Sequence, residues 1–233
     1  MVTGTVLLLS ALFLMLYNRN ESIRAKTNST EILSELKEQM PPVQKETIQN
    51  HQELPGSDIY TIPNDPVISE PLITDTHMNI IHEPDIFEEH EEYVEPNISE
   101  TIYYVREIPC MGVINIPSLG IELPVIADWS YSDLRVAPCR YYGSIQEGNM
   151  VIASHNYRSH FGRISELHSG DEIIFTDGDG LQHKYTVIQS EIISGNDKES
   201  MIEHSDEWDI TLFTCTLSGA SRVTVRAVNE NNK

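Results

Sequence analysis

Beyond residue 102 the sequence is a succession of short segments with a two-residue apolar rhythm, each closed by turn-forming residues. Few architectures accommodate such a run. Residues 111–116 alternate apolar and polar side chains, Pro117, Ser118, Leu119 and Gly120 turn the chain, and residues 121–126 return as the second arm of a hairpin. Residues 149–154 are mostly apolar, as in a strand covered on both faces. Residues 172–176 and 184–193 flank Asp177, Gly178, Asp179 and Gly180, a second hairpin. Residues 211–215 and 222–226 are rich in β-branched, aliphatic and aromatic types and enclose a small-residue loop at 217–221. Residues 102–105 lead in as a strand or a short helix. Helical signals are brief: Ser130 ahead of Asp133 and Leu134, residues 161–167 ended by Ser169 and Gly170, and one turn within 195–208. About eight strands with few helices predict a mainly β domain over residues 102–233, closed or nearly closed into a barrel.

The preceding part reads differently. Residues 2–17 are apolar and as a helix span about 24 Å, a little short of a hydrocarbon core of roughly 30 Å. We expect residues 1–18 to be a signal-anchor membrane helix. A cleaved signal peptide fits less well, because Asn18, Arg19, Asn20 and Glu21 are a poor cleavage context. Arg19, Arg24 and Lys26 follow the apolar run, which by the positive-inside tendency directs the rest of the chain to the cytoplasm. No Lys or Arg precedes the run, so a start lacking an upstream basic segment is an alternative. A short helix within 27–45 would place Ile32, Leu33 and Leu36 on one face. Prolines then recur from Pro41 to Pro96, and residues 27–106 carry three basic against seventeen acidic side chains. That composition buries too little apolar surface to offset ordering, so residues 19–101 are expected to be an acidic, disordered linker or stalk. His51, His77, His82 and His90 have no ligand spacing, so no metal site is expected there. The net charge of −21 argues against nucleic acid as a partner.

The chemistry concentrates at the end. Cys215 closes one strand and Arg222 opens the next, so antiparallel pairing sets them face to face. A thiol near a fixed cation is a candidate nucleophile, and a guanidinium can hold an oxyanion. The proton-transfer partner is His155, directly after the 149–154 strand. Bland readings stand beside these: Cys215 as a core-filling thiol, His160 in place of His155, and Arg226, on the same face as Arg222, in its place. Cys110 and Cys139 read as buried free thiols, with a bridge between them arithmetically possible.

Thr211, Leu212, Phe213, Thr214 and Cys215 with Arg222 resemble the signature of sortases, the cysteine transpeptidases of Gram-positive surfaces. Gly148 to Asn156, with Ser154 where many members carry glycine, is similar to their histidine motif. Gly112 to Pro117 and Gly120 to Val125 are similar to their opening barrel strands. The resemblance covers roughly residues 107–229. It implies Cys215 as nucleophile forming a thioester, His155 as general acid and then base, and Arg222 binding the carbonyl and oxyanion. It also implies a Leu-Pro-x-Thr-Gly-like sorting signal of a surface protein as substrate, with an amine of a lipid-linked peptidoglycan precursor or a pilin as acceptor. It implies a single-pass membrane protein with its catalytic domain outside the cell. The short loop between Cys215 and Arg222 looks class B-like. Some sortases bind calcium in the loop before the cysteine strand. Asp197, Glu199, Glu203, Asp206, Glu207 and Asp209 crowd that loop without matching a calcium motif, so no metal and no cofactor is expected. The competing functions are a thiol protease or amidase that only hydrolyses, and a non-enzymatic anchored β-domain.

Overall fold

The period-two segments pair as their turns dictate. The computed structural model describes residues 2–43, 100–202 and 207–230, all within one compact unit. Its strands are β1 (Tyr103–Val105), β2 (Ile108–Ile116), β3 (Ile121–Ile126), β4 (Cys139–Tyr142), β5 (Met150–Ser154), β6 (Glu172–Asp177), β7 (Gln182–Ser194), β8 (Ile210–Cys215) and β9 (Ser221–Asn229). Their order is β1-β2-β3-β4-β5-β8-β9-β7-β6, and β2 also pairs with β6. That last pairing closes eight strands, β2 to β9, into a barrel and leaves β1 as an extra edge strand. Inward side chains fill it: Ile114, Met150, Ile152, Phe175, Ile210, Leu212, Val225 and Ala227 form one buried cluster.

The expected number of barrel strands agrees with the structure, but one member differs. Residues 102–105 lie outside the ring, and Cys139–Tyr142 takes the place. This strand has no readable period. It is held by a bulged pairing to β5 and by Arg140, whose Nε donates to the Ala127 carbonyl at 2.8 Å. The helix expected over 161–167 is a single 3-10 turn at Ile164–Glu166. Ser130 does begin a turn: its hydroxyl accepts from the Asp133 amide at 3.0 Å, ahead of a 3-10 turn at Asp133–Arg135.

The N-terminal part corrects the expected organisation. One helix, α1, runs Val2–Gln39, so residues 19–39 of the expected disordered linker are helical. Among the described residues no helix is long and apolar enough to cross a membrane, which corrects the membrane helix expected over residues 1–18. Further along α1, Ala25, Ser29, Ile32 and Leu36 are buried. Their spacing of four, three and four puts them on one stripe. Ile32 and Leu36 pack with Val105, Cys110 and Val113. Glu31 and Glu35 bind Arg106 in the β1–β2 turn, and Lys37 binds Glu122 at 2.6 Å. Beyond α1, Pro41 abuts Gly180, while Thr101 Oγ1 donates to Asp179 at 2.7 Å. The chain thus leaves at Val43 and returns at Glu100 beside the same β6–β7 turn. Most of the expected linker, residues 44–99, lies outside the described residues.

Docking of α1 on the barrel makes Leu36, fully buried, part of the stabilising core. Leu36→Ala is expected to lower unfolding free energy by about 2–4 kcal/mol, read from the denaturant midpoint; a change under about 0.5 kcal/mol would mean that the helix does not contribute to the fold.

Candidate active site

Three neighbouring strands deliver the expected residues to one edge. β5 and β8 are parallel, with Ser154 opposite Thr214. Thr214 Oγ1 donates to the Ser154 carbonyl at 2.8 Å, fastening the two strands where they end. His155 follows Ser154 and Cys215 follows Thr214, so the imidazole and thiol leave adjacent strands, about 4.8 Å apart, at the same end. β9 runs antiparallel to β8 and opens there, with Arg222 opposite Cys215. Paired residues share a face. The residues two and four positions inward from Cys215, Phe213 and Thr211, are not among the barrel-core side chains, so Cys215 and Arg222 lie on the outer face.

The three thiols are not equivalent. Cys110 and Cys139 are fully buried and free, and burial pushes both up to about 12. They are inert core fillers at neutral pH, and the possible bridge between them is absent. Cys215 is free and half-exposed.

The two histidines also separate. His155 is half-buried, its ring 5.0 Å from that of Tyr157. Burial, with the nearby Arg135 cation, holds it below the usual histidine range, so it is neutral at pH 7. His160 is completely buried, and neither ring nitrogen makes a hydrogen bond among the described residues. Burial pushes it down to about 4; His155 adds to the effect and the Ala25 carbonyl of α1 opposes it. A closed-in imidazole of this kind packs the loop against α1 and cannot reach a substrate.

Arg222 Nη1 donates to the carbonyls of Gly219 at 2.9 Å and Ser221 at 3.1 Å, folding the guanidinium over its own hairpin loop. Gly195, at the end of β7, lies against it; a β-carbon there would sit 2.8 Å from Arg222 Nη1, so glycine leaves room for the cation. Arg226, the competing cation, is buried beneath the β7–β8 connection. Two acidic residues of that connection have structural roles: Asp197 accepts from the Ser200 amide and hydroxyl, starting α2 (Lys198–Ile202), and Asp209 accepts from the Asn229 amide at 2.6 Å. A cavity of about 320 Å³ near Lys37, Met40 and Glu122 holds none of the three expected residues. Sequence reasoning did not single out Tyr157, Arg135 or Trp208, because each is brought to this face by a loop without period.

Because folded His160 titrates near 4 and an unfolded histidine near 6.5, the folded state binds fewer protons between those values. This stability is fully present above pH 6.5 and is lost as pH falls towards about 4, to an extent of about 3 kcal/mol. Denaturant midpoints at pH 7, 5.5 and 4 are expected to show the fall, and His160→Leu to flatten it.

A model of the sortase domain matches residues 114–230, half of the chain. No curated protein matches significantly. Among solved structures, sortase A from Corynebacterium diphtheriae is 25% identical over 53% of this chain and 61% of its own, with a TM-score of 0.47. A Clostridium perfringens sortase D5 transpeptidase is 21% identical over 52% of this chain and 78% of its own, with a TM-score of 0.46. Sortase C of Clostridium perfringens, solved with the C-terminal cell wall sorting motif, is 25% identical over 52% of this chain and 70% of its own, with a TM-score of 0.46. The chain thus spans less than two thirds of the first of these relatives. On the extent of the domain match, the chain belongs to the sortase family.

Proposed function

We propose that the protein is a cysteine transpeptidase that cleaves a sorting-signal peptide and passes its acyl group to an amine. The observation that carries this reading is the meeting of strand ends: Ser154 opposite Thr214 and Cys215 opposite Arg222. Cys215 Sγ gives its proton to neutral His155 and bonds to the peptide carbonyl carbon. The oxyanion so formed lies against the Arg222 guanidinium. Its collapse breaks the carbon–nitrogen bond, and the departing amine takes the proton from the His155 imidazolium. A thioester remains on Cys215. The incoming amine loses a proton to His155 as it attacks, and the proton returns to the departing thiolate. The substrate is a Leu-Pro-x-Thr-Gly-like signal of a surface protein, and the acceptor an amine of a lipid-linked peptidoglycan precursor or a pilin. The short Cys215–Arg222 loop supports a class B-like reading.

We also propose that the protein attaches to the membrane, with its catalytic unit outside the cell. Leu9, Phe13 and Met15 of α1 are each about two-thirds exposed, an apolar surface suited to lipid.

Two experiments test these readings. The full chain in detergent, given a panel of quenched sorting-signal peptides and an amine, is expected to form a thioester and an amide product. Cys215→Ala should abolish both, and Arg222→Ala should lower kcat by about 10²–10³-fold. Turnover should decline on the acid side, as His155, held below the usual histidine range by burial and by Arg135, takes up a proton. Hydrolysis with no amine transfer would mark a hydrolase instead; no adduct and no turnover on any signal would leave a binding domain. In the second experiment the full chain should co-sediment with phospholipid vesicles, and Leu9→Ser with Phe13→Ser should release it. Unchanged sedimentation would refute this attachment.

A further inference from the structure

Arg226 shares the outer face of β9 with Arg222, yet it is only 6% exposed. A buried guanidinium keeps its charge and is costly unless paired and hydrogen-bonded. Three contacts offset part of that cost, although Nε makes no hydrogen bond among the described residues. Nη2 donates to the Ser200 carbonyl at 2.9 Å. The same nitrogen lies 3.2 Å from Glu191 Oε1 on β7. The guanidinium carbon stands 3.9 Å over the centre of the Trp208 ring. Ser200 belongs to α2, and Trp208 lies two residues before β8. One cation therefore grips both flanks of the β7–β8 connection from beneath.

That connection carries Met201, which packs on Val151, Ala153 and Phe213. These are outer-face residues of β5 and β8. Ala153 and Phe213 stand two positions before His155 and Cys215. Within the connection, α2 thus stands as a wall against a floor whose far end is the thiol, and the connection's first residue, Gly195, abuts Arg222.

We infer that Arg226 is a positioning residue that fixes the wall of the peptide groove beside Cys215. By pinning Ser200 and Trp208 it holds Met201 over the apolar floor, so an apolar side chain of the sorting signal meets a preformed surface. The inference rests on the transpeptidase reading above for its substrate. Preformed contact lowers the ordering cost of binding, so the effect belongs in KM. Lysine is no substitute, because it lacks the planar face that stacks on Trp208.

The test uses the full chain with Arg226→Lys, Trp208→Leu and the double variant. Each single variant is expected to raise KM for the peptide about tenfold with kcat within about twofold. The rate of iodoacetamide labelling at Cys215 should stay unchanged. Trypsin cleavage after Lys198, in α2, should quicken about tenfold, because the connection opens locally. The double variant should be no worse than either single one, since both break the same clamp. A fall in kcat at constant KM, additive single effects, or unchanged KM and Lys198 cleavage would each overturn the proposal. If the unaltered protein turns over no signal peptide, the transpeptidase reading fails, and Lys198 cleavage with its additivity still decides the clamp.

Discussion

The parallel pairing of β5 with β8 is the contact on which the rest depends. It joins segments sixty residues apart, fastened at Thr214 and Ser154. A parallel pair ends both strands at the same edge, and an antiparallel third strand begins there. Imidazole, thiol and guanidinium thus come from the end of β5, the end of β8 and the start of β9. No hairpin of two strands could collect all three. The ring closed between β2 and β6 keeps this edge from fraying, because a closed sheet has no free edge on either side of the three strands.

Burial then sorts residues of the same type. Cys110 and Cys139 lie in apolar clusters that hold their thiols protonated, leaving Cys215 as the half-exposed sulfur. His160 is enclosed under α1, whereas His155 keeps contact with solvent and with the thiol's edge. Arg226 is consumed by Ser200, Glu191 and Trp208, while Arg222 bends over its own hairpin loop. In each set the chemistry is alike and the dielectric surroundings differ.

The helix α1 has two characters along its length. Its first turns are apolar and exposed; its later turns bury one stripe on the barrel. The ion pairs from Arg106 and Lys37 at its rim are solvent-exposed and add little; the stripe through Ile32 and Leu36 supplies the attachment.

Much of this was legible beforehand. Period-two runs such as residues 111–116 and 211–215 disclose strands because side chains alternate across a sheet. The spacing of Cys215 and Arg222 discloses their pairing because a short loop forces antiparallel neighbours. The strand at Cys139–Tyr142 was not legible, having no rhythm of its own and being held by a bulge and by Arg140. Helix beyond residue 18 was visible only as the stripe of Ile32, Leu33 and Leu36, since a face reveals its partner only when the partner is folded. The sequence by itself determined a β-barrel and nominated two imidazoles after the 149–154 strand and a thiol and two guanidiniums in its last two strands. Only the tertiary structure decided which of them are buried and which come to one edge, because burial and register between distant strands are properties of the packed chain and not of any segment of it.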